Sequence, residues 1–158
     1  MKCRTILKAL AAICTLSLGC QENPKIVRLD YSLNADEQNA VIKAFDAWCR
    51  ATCEDYCGYT FSVYRVSWPL PDNTIGVTIR TLPPDRQGEC RRHTSLGGRS
   101  SEISLAPNLK GETLVSTVMH EVGHALGAEH TAFGVMSESG SAVQLSEADI
   151  SQLGCVSP

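Results

Sequence analysis

Residues 120–130, HEVGHALGAEH, hold three of the four histidines in a chain of 158 residues, with Glu121 after the first and Gly127 before the third. On a helix, His120 and His124 stand one turn apart on one face, where both imidazoles can reach the same ion. Glu121 is turned away by one residue, which places it beside that ion rather than on it, as an acceptor for a proton from water. Gly127 can take the left-handed conformation that ends a helix, and the turn returns His130 toward the same point. Three neutral imidazoles with a fourth position open suit one catalytic Zn2+. Zinc lowers the pKa of its water toward ~7 and polarises a carbonyl, and Glu121 can take the proton as that water attacks. The metal and the base together suit amide hydrolysis. The bland alternative is a solvent-facing helix that happens to carry histidines. HExxH alone would leave it standing, whereas HExxHxxGxxH, with glycine where the helix must end, is far more demanding.

Such a site needs a helix beneath it and a scaffold behind that helix. Val115, Val118, Met119, Val122 and Leu126 recur every three or four residues and form an apolar stripe over 112–126, almost opposite His120 and His124. KIVRLDYSL (25–33) alternates as a first strand. Asn34 followed by Glu37 is a capping box opening a long amphipathic helix through Cys57, with Val41, Ala44, Phe45 and Trp48 on its core side. FSVYRVSW (61–68), TIGVTIRTL (74–82) and EISLA (102–106) read as strands, and 83–99 as a long loop. A last helix starts at Ser146, with Glu147 and Asp149 in its first turn. Runs of strand and helix in this order predict one layered domain, three-layer α/β or α+β.

Hydrophobic content of 43% and charged content of 20% are those of a globular chain. MKCRTILK, the apolar ILKALAAICTLSL and the small residues of Ser17-Leu18-Gly19 read as an export signal over 1–19. Setting it aside removes Lys2, Arg4 and Lys8 of the 14 basic residues and none of the 17 acidic ones, leaving a formal −6 for 20–158. An acidic domain of that kind is a poor binder of nucleic acid or of anionic membranes. Cys20 follows the apolar run directly. LSLGC looks like a lipobox, which makes Cys20 a candidate lipid anchor and the chain's one route to a membrane. Ser17 stands, however, where that pattern wants leucine. If Cys20 is lipidated, Cys49, Cys53, Cys57, Cys90 and Cys155 leave an odd thiol; if it is not, six cysteines can pair. Either route ends outside the cytoplasm, in a cell envelope or secreted, where disulfides persist. Cys49, Cys53 and Cys57 are expected to bridge to Cys90, Cys155 and, where free, Cys20.

At every fixed position, His120, Glu121, His124, Gly127 and His130 match the motif of the metzincin zinc endopeptidases, and the chain resembles that clan most specifically over 112–154. Met136, in FGVMSE, stands where metzincins place a methionine turn under the metal. LSEADISQLG and Thr131 are similar to the matrixin branch, the matrix-metalloprotease-like one. The resemblance implies an α+β metzincin-like (zincin) domain over 20–158, with a twisted mixed sheet, a long backing helix, an active-site helix and a C-terminal helix. It further implies zinc on His120, His124 and His130, Glu121 as general base, and protein or peptide substrates lying extended along an edge strand. No tyrosine follows closely after Met136, so the fifth ligand of astacin-like and serralysin-like relatives is not evident. The interval from His130 to Met136 is short. The second zinc site of matrixins needs three histidines where only His93 is left, and no spacing supports a calcium site. The competing class is a zinc-bearing binding protein or pseudoprotease without turnover, which retention of Glu121 argues against. Neither the oligomeric state nor the preferred peptide is written in the sequence.

Overall fold

The computed structural model describes residues 26–52, 58–139 and 141–153. The expected signal at 1–19, the candidate anchor Cys20, and Cys53, Cys57 and Cys155 lie outside the described residues. Strand β1 (Ile26–Leu29) buries Val27 and Leu29, as alternation requires. Helix α1 (Ala35–Ala51) opens on the expected capping box: the Asn34 side chain accepts from Asp36 N–H and Glu37 N–H, and Glu37 accepts from Asn34 N–H at 2.7 Å. Its inner face buries Val41, Ala44, Phe45 and Trp48. Phe45 packs against Tyr59 and Phe61, with ring centroids 4.8 and 5.7 Å away.

The run expected as a strand over 61–68 gives only β2 (Thr60–Val63). Beyond it the chain leaves the sheet. Val66 N–H is held by the Asp30 carboxylate at 2.8 Å, and Val66 and Leu70 then lie over Gly76 so closely that a Cβ there would meet them at 2.9–3.0 Å. Strand β3 (Thr74–Ile79) supplies Ile75 and Val77 to the core.

The long loop expected over 83–99 is a correction. Its second half is strand β4 (Gly88–Thr94), and β5 begins at Arg99 and runs to Leu105. GECRRHT shows no hydrophobic alternation because β4 is outermost among the described strands, paired there with β5 alone, and exposed over Arg91–Thr94. The sheet order is β2-β1-β3-β5-β4. The first four are parallel, while β4 runs antiparallel to β5 with Gly88 opposite Leu105 and Arg91 opposite Glu102. This mixed sheet with its helices is α+β, as the sequence indicates.

Helix α2 (Gly111–Leu126) and the short α3 (Glu147–Ser151) complete the described elements. Val118, Met119, Val122 and Leu126 of the expected stripe are buried, whereas Val115 is 40% exposed at its open end. The backing helix grips α2 at one polar point, where Trp48 Nε1–H donates to Met119 O at 2.9 Å within the core. Cys49 is disulfide-bonded. Cys90 corrects the expected bridges, because its thiol is free. It faces inward from β4 opposite Ile103, where burial, helped by the Glu121 carboxylate, raises its pKa far above the ordinary thiol range.

Candidate metal centre

Helix α2 carries His120, Glu121 and His124, and ends as Gly127 takes φ 110° and ψ 1°. That left-handed turn is costly for any residue with a Cβ. It sends the chain back so that His124 Nε2 lies 3.0 Å from His120 Nε2 and 3.1 Å from His130 Nε2. Within this cluster each histidine offers one ring nitrogen within 4.8 Å of the others, and it is the one such cluster among the described residues.

The outer nitrogens decide what the inner ones can do. His120 Nδ1 lies 2.8 Å from Val135 O, and His124 Nδ1 lies 2.9 Å from Ala128 O. A carbonyl only accepts, so both Nδ1 atoms carry the hydrogen and both Nε2 atoms of the neutral rings present bare lone pairs. Burial lowers the pKa of both rings, as do the neighbouring imidazoles, against the raising effect of those carbonyls. Two lone pairs 3.0 Å apart repel unless a cation lies between them. The arrangement therefore fits a divalent metal with imidazole ligands, two of them oriented by a carbonyl behind the ring.

Glu121 is 7% exposed, and its side chain lies against the start of β4. A Cβ on Gly88 would lie 2.7 Å from both Cγ and Oε1 of Glu121 and 2.8 Å from Thr117 Cγ2, so glycine leaves the room this carboxylate occupies. Burial and the charge of Glu89 outweigh the lowering effect of Arg86 and push Glu121 up to about 7. A dication at the histidine cluster would favour the ionised form.

Met136 is fully buried. Its Sδ packs so closely on Gly123, which lies between His120 and His124 on α2, that a Cβ there would collide with it. The short interval from His130 is closed by Thr131 N–H donating to Met136 O at 2.9 Å and by a bridge between Thr131 and Ser137. Asp149, also fully buried, organises this turn from α3. One oxygen accepts Met136 N–H at 3.0 Å and Thr131 Oγ–H at 3.1 Å; the other accepts from Val135 N–H and from Ser146. Burial raises the Asp149 carboxyl, yet these hydrogen bonds prevail and hold it below the ordinary aspartate value. The sequence marks Asp149 only as a first-turn acid. The signal for more was the Ser146-x-x-Asp149 pattern, a capping box whose acid has acceptor capacity to spare.

Three arginines in and just before β4 are paired with acids. Arg86 and Arg91 share Glu89 at 3.2 and 3.1 Å, and Arg92 reaches Glu129 at 2.5 Å. His93 lies against Trp68 with centroids 4.5 Å apart and is not part of the three-histidine cluster.

Residues 83–131 match the model of the Metallo-peptidase family M12B, Reprolysin-like. That match and the three-histidine cluster support a metzincin-like family. The match covers 49 residues, from the segment before β4 through β5 and α2 to one residue past His130. It supports a metallopeptidase of this clan, for which a metal, typically zinc, is implied. The model that matches is the reprolysin-like one, so it lends nothing to the matrixin branch. No curated protein matches the chain.

Proposed function

We propose that this metzincin-like domain is an exported zinc endopeptidase acting on proteins or peptides. The observation that carries the reading is the convergence of three Nε2 atoms, two of them stripped of hydrogen by carbonyls on their far side, next to a buried carboxylate. A zinc ion held there supplies Lewis acidity toward a carbonyl and toward water. The Glu121 carboxylate would accept the proton of the attacking water and return it to the departing amine nitrogen. Gly88 and Thr117 keep that carboxylate in place, and Met136 with Asp149 keeps the histidines from spreading. Among the described residues no strand pairs with the outer edge of β4, and an extended peptide adding to it would run past Glu121.

Export is supported by the basic-apolar-small pattern of 1–19, and Cys20 is either its lipid anchor or a mature residue. The finer placement with matrixins rests on Thr131 and LSEADISQLG, which lie at or beyond the end of the matched segment. The test is cleavage of a denatured protein by the purified chain, with zinc content measured on the same sample. About one zinc per chain with chelator-sensitive cleavage is expected. Glu121→Gln should keep the zinc and lose roughly 10²–10⁴-fold in rate, the ordinary worth of a general base. Undiminished cleavage by that variant removes Glu121 from the mechanism. Zinc without any cleavage by the unaltered chain moves the reading to a binding protein.

A further inference from the structure

We infer that Gln152 is a positioning residue for His130, the third ligand; this rests on the zinc reading above. His120 and His124 are each fixed twice, by the helix that carries them and by a carbonyl on Nδ1. His130 has neither support. It is exposed, it lies beyond the end of α2, and among the described residues its one hydrogen-bond-range neighbour is His124 Nε2. Its position must therefore come through the main chain on either side of it.

Both sides are held from the C-terminal segment. After His130, Thr131 is fastened to Asp149. Before it, the Gln152 side chain closes a two-point clamp on Glu129: Glu129 N–H donates to Gln152 Oε1 at 2.7 Å, and Gln152 Nε2–H donates to Glu129 O at 2.9 Å. That carbonyl belongs to the peptide whose nitrogen is that of His130. Holding it fixes the rotation of the unit from which the His130 side chain departs. The Glu129 side chain adds a third tie, to Arg92 on β4.

The clamp lies at the surface, so water can replace its hydrogen bonds at small net cost to folding. Metal ligation is less forgiving, because ligand distances must fall within about 0.2 Å of their ideal values. A residue of this kind should be nearly silent in the metal-free protein and visible when metal binds. Outer-shell partners of metal ligands typically govern about 10–100-fold in metal affinity.

The experiment compares Zn2+ affinity, by competition with a chromophoric chelator, in the full chain and in Gln152→Ala and Gln152→Met. Methionine keeps the length and bulk of glutamine and removes both hydrogen bonds, so it separates the clamp from mere packing. Both variants should bind zinc at least tenfold more weakly, with the melting temperature of the metal-free protein unchanged. Zinc affinity within twofold of the unaltered chain in both variants overturns the inference while leaving the zinc site intact. So does a loss of metal-free stability as large as the loss in the zinc-loaded protein, since that marks an ordinary structural contact. If the unaltered chain binds no zinc, the site reading itself falls and this inference with it.

Discussion

Gly123 lies inside the HEVGH segment, where two effects of opposite sign meet. Replacing a mid-helix glycine by alanine ordinarily stabilises by about 0.8–1.0 kcal/mol, because alanine loses less backbone freedom. Here the new methyl group would enter the space of Met136 Sδ and lie 2.6 Å from Trp48 Cζ2. Neither neighbour can yield easily. Both are fully buried, and the indole is pinned by its hydrogen bond to Met119 O. Overpacking of a filled core costs about 1–3 kcal/mol, and contacts this short place the cost at or above the top of that range. The net for Gly123→Ala is then a loss of about 2 kcal/mol. At 2–4 °C per kcal/mol for a domain of this size, the melting temperature should fall by roughly 4–8 °C. Because Met136 follows Val135, whose carbonyl holds His120 Nδ1, displacing it should lower zinc affinity as well. Thermal unfolding of the metal-free protein, followed by circular dichroism, reads the first effect and chelator competition the second. A melting temperature equal to or above that of the unaltered chain would refute the packing argument, since helix propensity would then have prevailed.

Glu121 gives a prediction with a definite sign. Its folded pKa is raised from 4.5 to about 7, so between these values the folded state holds a proton that the unfolded state has released, and stability falls as pH rises. Metal-free Glu121→Gln should therefore be more stable than the metal-free unaltered chain above pH 7, by about 3 kcal/mol. The difference should fade as pH drops below 4.5, and denaturant unfolding at several pH values checks it; a variant less stable at pH 8 contradicts the burial argument. Gly88→Ala should push the Glu121 carboxylate aside. It should lower kcat by about tenfold to a hundredfold with zinc stoichiometry unchanged, as read by peptide hydrolysis and metal analysis on one preparation.

The centre of the site was legible because its parts are local. His120, Glu121 and His124 share two helical turns, and Gly127 and His130 follow within six residues, so spacing alone brings them together. The strand that faces Glu121 was not legible. β4 is outermost and largely exposed over its second half, so no burial imposed an apolar alternation on GECRRHT, and its charges read as loop. Gly88 carried no signal in that setting, although its missing Cβ is what Glu121 occupies. The supports from α3 were hidden by separation. Asp149 acts on Val135 and Met136, and Gln152 on Glu129, across intervals with no periodic pattern. Cys90 was expected in a bridge on cysteine counting, a rule blind to which face of a strand a thiol occupies.

The edge strand has a second consequence, for the company the molecule keeps. An outermost strand with free backbone groups invites another copy as readily as a peptide, and native edges are commonly guarded by charge. β4 spans seven residues centred on Arg91. A second copy pairing antiparallel in full register would set Arg91 against Arg91, and directly opposed like charges are unfavourable across strands. The opposite edge, β2, is only four residues long and offers little to stack upon. The sheet can thus stay open along one side to a foreign chain of suitable sequence while remaining a poor template for its own aggregation.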